Sequence, residues 1–161
     1  MQKIFAEYGV PKFVKLTNDI KHMAISFSSS KLIILDLKSK EISEIITSLK
    51  SYITCIDFSD DDNFMAVGMQ NGEISLYRKI KDKNGQVSYI RDLRLKDLQL
   101  IKCSISCIKV LKEFNAFVAV TDDSRIFYVC KSNQAILLSK STWHFRLGEK
   151  GTEKFAKCHL M

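Results

Sequence analysis

The chain has 161 residues, 46% of them hydrophobic, with a mean hydropathy of −0.04, which is one domain's length with ample material for a packed core and excludes wholesale disorder. Its net charge of +7 is local, because residues 78–96 hold seven Lys and Arg against two Asp while residues 1–77 are slightly acidic. No stretch reaches the ~18 unbroken apolar residues of a membrane span and the N-terminus lacks a signal peptide's apolar run, so a soluble protein of the cytoplasm or nucleus is expected.

In chain order, Ile4–Tyr8 reads as a short extra strand. Pro11–Leu16 alternates apolar and polar residues with the period of two that marks a half-buried strand. His22–Phe27 is a nearly continuous apolar run of strand length, the pattern of a strand covered on both faces. After the polar turn Ser28–Ser30 come the strands Leu32–Leu35 and Ile42–Ile46. The pattern then restarts with Ile53–Phe58, Phe64–Met69, the turn Gln70-Asn71-Gly72, Ile74–Tyr77 and Val87–Leu95. It restarts again with Ile105–Val110, Ala116–Thr121, the turn Asp122–Ser124, Ile126–Val129 and Ala135–Ser139. Asn71-Gly72 is a strong two-residue hairpin signal, since both residues tolerate positive φ. Leucines in Arg91–Ile101 also fit a short amphipathic helix, but the repeat register favours strand and loop.

The three passes superimpose without a gap over 26 residues: Pro11–Asp36 falls on Ile53–Arg78 and on Ile105–Cys130. The offset is 42 residues from the first copy to the second and 52 from the second to the third. The extra ten fall between third and fourth strands, so Lys79–Gln86 is expected to be a lengthened surface loop. Four short antiparallel strands repeated every ~40–45 residues are the signature of propeller blades.

On these residues, above all Ile53-Thr-Cys-Ile-Asp-Phe-Ser-Asp-Asp-Asp-Asn-Phe-Met-Ala-Val-Gly and Asn71-Gly-Glu-Ile-Ser-Leu-Tyr-Arg78, the chain resembles the WD40 repeat family over residues 11–139. The resemblance is degenerate. The family's Trp-Asp pair falls on Leu35-Asp36, Tyr77-Arg78 and Val129-Cys130, so only Asp36 keeps the acidic member, and no copy has the Gly-His pair ahead of its first strand. The expected architecture is all-β: an N-terminal extension strand in residues 1–10, three four-stranded blades at about 11–47, 52–96 and 104–139, and a tail, 140–161, without repeat pattern. A ring needs about four to eight blades. Three leave apolar flanks on the first and third, so the chain is expected to be a piece of a longer propeller, to be completed by another chain or a second copy, or to be capped by its tail.

Little raw material for catalysis is present. His22 opens an apolar strand and reads as packing or interfacial; His144 and His159 lie in the tail. No nucleophile elbow, phosphate-binding loop or dinucleotide fingerprint occurs. The five cysteines form no C-x-x-C pair, and Cys55 and Cys107 hold equivalent strand positions where a small buried thiol packs well. Cys158-His159 offers only two of the four ligands that zinc normally takes. Asp60-Asp61-Asp62-Asn63 suits the turn between first and second strands better than a cation site, because Asp and Asn bond their own backbone there. Neither a metal nor a cofactor is expected. Trp143, the single tryptophan, is read as a partner anchor or as cover for the last blade.

The basic region supplies the one candidate site for an anionic ligand: Arg78, Lys79, Lys81, Lys83, Arg91 and Arg94. A lysine-studded outer strand is also how sheets avoid edge pairing, and that reading is preferred. The functional expectation is a non-catalytic protein-interaction module, a scaffold segment whose partners are other proteins. The alternative is RNA or phosphoinositide binding through residues 78–96. Tyr77 and Tyr89 are the only stacking candidates there, which counts mildly against single-stranded RNA.

Overall fold

The alternation read from the sequence becomes three antiparallel sheets in the computed structural model, which describes residues 5–83, 85–92, 98–99, 102–111, 116–129 and 135–139. The first sheet runs β1 (Pro11–Leu16), β2 (His22–Phe27), β3 (Leu32–Asp36), β4 (Ile42–Ile46). The second runs β5 (Ile53–Phe58), β6 (Phe64–Met69), β7 (Glu73–Lys81), β8 (Val87–Arg91), with β9 (Leu98–Gln99) also on β7. The third runs β10 (Ile105–Leu111), β11 (Ala116–Thr121), β12 (Ile126–Val129), β13 (Ala135–Ser139).

The repeat extends to hydrogen bonds that no residue pattern displays. Val14 pairs with Ile25, Ile56 with Val67 and Ile108 with Ala119, and each first strand carries a register shift near its start. The residue before each blade accepts a bond from the first turn residue: Ser28 N–H to Val10 O, Gln70 N–H to Tyr52 O and Asp122 N–H to Ser104 O, at 2.9, 2.9 and 3.0 Å. The turn after each second strand closes on three residues, the last left-handed: Ser30, Gly72 and Ser124 at φ 58°, 83° and 65°. The two-residue hairpin signal of Asn71-Gly72 is met by a three-residue loop, Gln70–Gly72, which needs positive φ only at its last residue.

Blade 2 is buried on both faces. The face of blade 2 toward blade 1, its leading face, presents Ile56, Phe58, Met65, Val67 and Tyr89 against Ala24, Leu32, Ile34 and Ile46. Its opposite, trailing face sets Ala66, Ile74 and Leu76 against Ile108, Val110, Phe117 and Ala119 of blade 3. Gly68 marks the tightest approach: a Cβ there would stand 2.6 Å from Cys55 Sγ and 2.8 Å from Ile105 Cγ2. Full burial of one such aliphatic side chain is worth about 1.5–3 kcal/mol, so these two layers dominate the folding energy.

Three expectations are corrected. Ala6–Tyr8 is a turn of 3-10 helix rather than a strand: Phe5 and Tyr8 pack their rings on Phe27, and Ser29 Oγ donates to Tyr8 O. The ten inserted residues do not form a loop from Lys79 to Gln86. They lengthen a hairpin, with Lys79–Lys81 continuing β7 opposite Val87–Tyr89. The outer strand β8 ends at Arg91 instead of running on unbroken toward Leu95, which lies outside the described residues, and it pairs only with Tyr77–Lys81 of β7. β9 takes the other half, pairing with Glu73 and Ile74.

Candidate functional site

The innermost strands carry one repeat position with alternating charge: Lys15, Asp57 and Lys109. Asp57 is buried on β5 and stitches all three blades. Its Oδ1 lies 2.9 Å from Lys15 Nζ, its Oδ2 lies 3.3 Å from Lys109 Nζ, and Oδ2 also accepts the Val110 N–H at 3.0 Å. A carboxylate buried there is tolerable because two cations and an amide replace its water. Sequence reasoning passed over this row, and its signal was legible: opposite charges at one repeat position of strands otherwise apolar.

The acidic turn divides its labour. Asp61 closes the turn as expected, accepting from Ser59 Oγ at 2.7 Å and from Asn63 N–H and Nδ2. Asp62 instead crosses to blade 1, where it accepts the Asn18 and Asp19 N–H groups at 2.8 and 2.9 Å. Farther out, Glu44 of β4 accepts the outward-facing Tyr89 N–H of β8. Burial pushes Glu44 upward from the usual carboxylate range, partly offset by that bond.

The basic candidates do not form one patch. Pleat alternation puts Lys79 and Lys81 on the face toward blade 1, while Arg78 turns the other way beside the exposed Ile80 and Ile90. Arg91 lies opposite Tyr77 on the first of these faces and donates to Ser75 Oγ at 3.1 Å. Lys83 is exposed at the hairpin tip, and Arg94 lies outside the described residues.

Lys79 and Lys81 line a cleft of about 440 Å³ between blade 1 and the lengthened hairpin, together with Asp19, His22, Asp36 and Glu41. Two of its carboxylates are already engaged. Asp36 Oδ1 accepts the Lys38 and Ser39 N–H groups, and the Ser39 bond leads in holding its carboxyl below the usual range. Burial pushes Asp19 up, but bonds from the Thr17 hydroxyl and the Lys21 N–H, with the charges of Lys79 and Lys21, bring it below normal. His22 is buried, its Nδ1 without a hydrogen-bond partner and its Nε2 3.8 Å from Asp36 Oδ2. Burial and then the Lys79 charge lower its pKa, so the imidazole is neutral at pH 7.

Of the equivalent cysteines, Cys55 is buried under Ile105, and burial pushes its thiol up to about 12. Cys107 corrects the expectation of a buried thiol. It is exposed because the trailing face of blade 3, unlike that of blade 2, has no blade packed on it among the described residues. Among those residues no group of three or more His, Cys, Asp or Glu is arranged to hold a metal ion. Trp143, His144, Cys158 and His159 lie outside them. None of the described helices is long and apolar enough to cross a membrane.

Sheets of four antiparallel strands, repeated in register and packed face to face about their first strands, are the blades of a WD40-type β-propeller. A family profile, the anaphase-promoting complex subunit 4 WD40 domain, matches residues 14–111, more than half of the chain, and the chain belongs to that family. Among solved structures it is similar to U3-55K (TM-score 0.62, 13% identity, covering 78% of this chain and 38% of that one). It is likewise similar to the β-propeller domain of Cps50 (Swd1) from Myceliophteria thermophila (0.65, 12%, 86% and 45%) and to the RRP9 WD40 repeats (0.61, 14%, 78% and 37%). At these identities the likeness is one of fold, and the chain spans less than half the length of each of these structures. A comparison with curated protein sequences finds none that matches.

Proposed function

We propose that the chain is a non-catalytic protein-interaction module, a rigid segment of WD40-type propeller that holds other proteins in a larger assembly of the cytoplasm or nucleus. The observation that carries this reading is where the buried polar chemistry goes. Asp57, Asp62 and Glu44 are each spent on joining one blade to the next, which makes the blades a stiff support for exposed loops and edges. The family match supports it, since the family is named for a subunit of a multi-protein complex. Size-exclusion chromatography of the tagged protein from its own cells, with mass spectrometry of the eluted species, tests the reading. Co-elution with stoichiometric protein partners is expected; elution of the chain alone refutes it.

A second reading, binding of RNA or phosphoinositide headgroups, is favoured by one observation. Lys79 and Lys81 form no ion pair among the described residues, although they face a cleft whose carboxylates Asp19 and Asp36 are held by neighbouring N–H groups. Replacing Lys79, Lys81 and Lys83 by alanine together should abolish binding to anionic vesicles or RNA, with a marked salt dependence. Undetectable binding by the unaltered protein at low salt rules this reading out.

A further inference from the structure

The cleft between blade 1 and the lengthened hairpin has walls of opposite charge. On the blade 1 wall Asp19 pairs with Lys21 at 3.5 Å, which leaves Asp36 and Glu41 as the net charges of that side. Asp36 holds its Oδ1 on two amides with Oδ2 toward His22, and the Glu41 carboxylate makes no ion pair among the described residues. The facing hairpin wall offers Lys79 and Lys81, likewise without ion pairs among those residues. His22, which also lines the cleft, is 5% exposed, yet its Nδ1 has no partner and its Nε2 stops 3.8 Å short of Asp36 Oδ2. Buried polar groups are normally hydrogen-bonded, so a ring left without a bond at this wall points to a ligand.

A second feature stands on the lip. Ile20 lies between Asp19 and Lys21, both of which line the cleft, and it is 66% exposed at φ 54°. A β-branched residue is strained in that region. The same repeat position in blade 2 is Asp62, at φ 57°, where it is buried and accepts the Asn18 and Asp19 N–H groups. Asp62 tolerates the left-handed backbone and ties two blades together, whereas Ile20 joins none of the three buried clusters. Backbone strain that the fold itself does not need gathers at ligand clamps.

Charge and lining narrow the occupant. Small-molecule pockets of about 300–1,000 Å³ are lined mainly by apolar side chains, and this lining is mainly charged and polar, so the apolar anchor has to come from the lip, at Ile20. RNA or an inositol phosphate headgroup would set phosphate against Asp36 and Glu41, a like-charge contact that disfavours it. An extended peptide fits both walls, because neighbouring residues of a strand point to opposite sides. We propose that this cleft docks an extended peptide segment of a partner protein: an acidic residue meets Lys79 and Lys81, its basic sequence neighbour meets Asp36 and Glu41, and an apolar residue covers Ile20. The proposal rests on the interaction-module reading, names the site and the kind of partner, and competes with the RNA and headgroup reading for the same lysines.

The test places a photo-cross-linking phenylalanine analogue at Gln86, on the hairpin wall, of the full chain in its own cells, with the exposed Asp122 as an off-site control, and sizes the native complex in parallel. The expected cross-link comes from position 86 and not from position 122, and it maps to a segment of another protein with an acidic and a basic residue side by side. A synthetic peptide copying that segment should bind the purified chain, and Lys81→Glu or Glu41→Lys should each weaken binding about tenfold, since reversal turns an attraction into a repulsion. Exchanging the matching charge of the peptide should restore binding to each variant. Ile20→Gly should weaken the peptide about fivefold or more while raising the thermal midpoint of the free chain, a split that a purely structural role does not produce. The proposal is overturned by a cross-link to nucleic acid or lipid, to another part of the same polypeptide or to a segment without neighbouring opposite charges. No cross-link, a charge exchange that restores nothing, or an Ile20→Gly chain that binds the peptide as before or melts no higher overturns it as well. A multi-protein complex without the position-86 cross-link refutes this site alone, whereas a chain that elutes without partners refutes the interaction-module reading beneath it.

Discussion

Replacing Asp57 by alanine should destabilise the chain by about 2–4 kcal/mol. The working is local. A buried hydrogen bond from a backbone N–H to a charged carboxylate contributes about 1.5–3 kcal/mol, and here that bond is the 3.0 Å contact from Val110. The two lysine contacts, at 2.9 and 3.3 Å, join a buried carboxylate to ammonium groups that are about half in water. Solvent screening limits each to ~0.2–1 kcal/mol. Asp57→Asn keeps an acceptor for Val110 and loses only the charge, so it should cost ~0.5–2 kcal/mol, and this smaller cost should shrink in 1 M salt, where the screening length is about 3 Å. Urea unfolding of the three proteins measures the differences, and amide hydrogen exchange at Val110 reports the lost bond directly. The reasoning is refuted if Asp57→Ala lies within about 0.5 kcal/mol of the unaltered chain, a surface-type effect. It also fails if asparagine costs as much as alanine.

Three further outcomes follow from individual positions. Because burial raises the folded-state pKa of Glu44, its contribution to stability is fully present below the unfolded carboxylate pKa and is lost as pH rises through the raised folded value; Glu44→Gln should abolish that loss, so the stability gap between the two proteins across the acidic range is the readout, and a pH-independent gap contradicts the assignment. Gly68→Ala should cost about 1–3 kcal/mol in urea unfolding, because its Cβ meets both Cys55 Sγ and Ile105 Cγ2, and Cys55→Ala in the same chain should return part of that loss. Ile20 is an exposed β-branched residue at φ 54°, so Ile20→Gly should raise stability by about 1 kcal/mol, and an unchanged melting temperature would show that the turn carries no strain.

The sequence by itself determined the blades. Period-two alternation and continuous apolar runs located the four successive strands of each copy, though not the short β9, because burial on one or both faces imposes those patterns whatever the neighbours are. It also assigned Asp61 to its turn, a bond made within a few residues, and noted that a three-blade array leaves apolar flanks. Tertiary structure decided what depends on which blade faces which. Lys79 and Lys81 parted from Arg78 because an insertion read as a loop became a longer hairpin, and pleat alternation sends neighbouring residues to opposite faces. Cys55 and Cys107, identical in repeat position, differ in exposure because only one has a blade packed over it. Asp57 and Asp62 joined residues more than 40 positions away, and local patterning carries no record of such contacts. For the same reason Val14 and Leu16 read like any core strand and were found half in water, since burial of a repeat position is a property of the neighbour and not of the repeat.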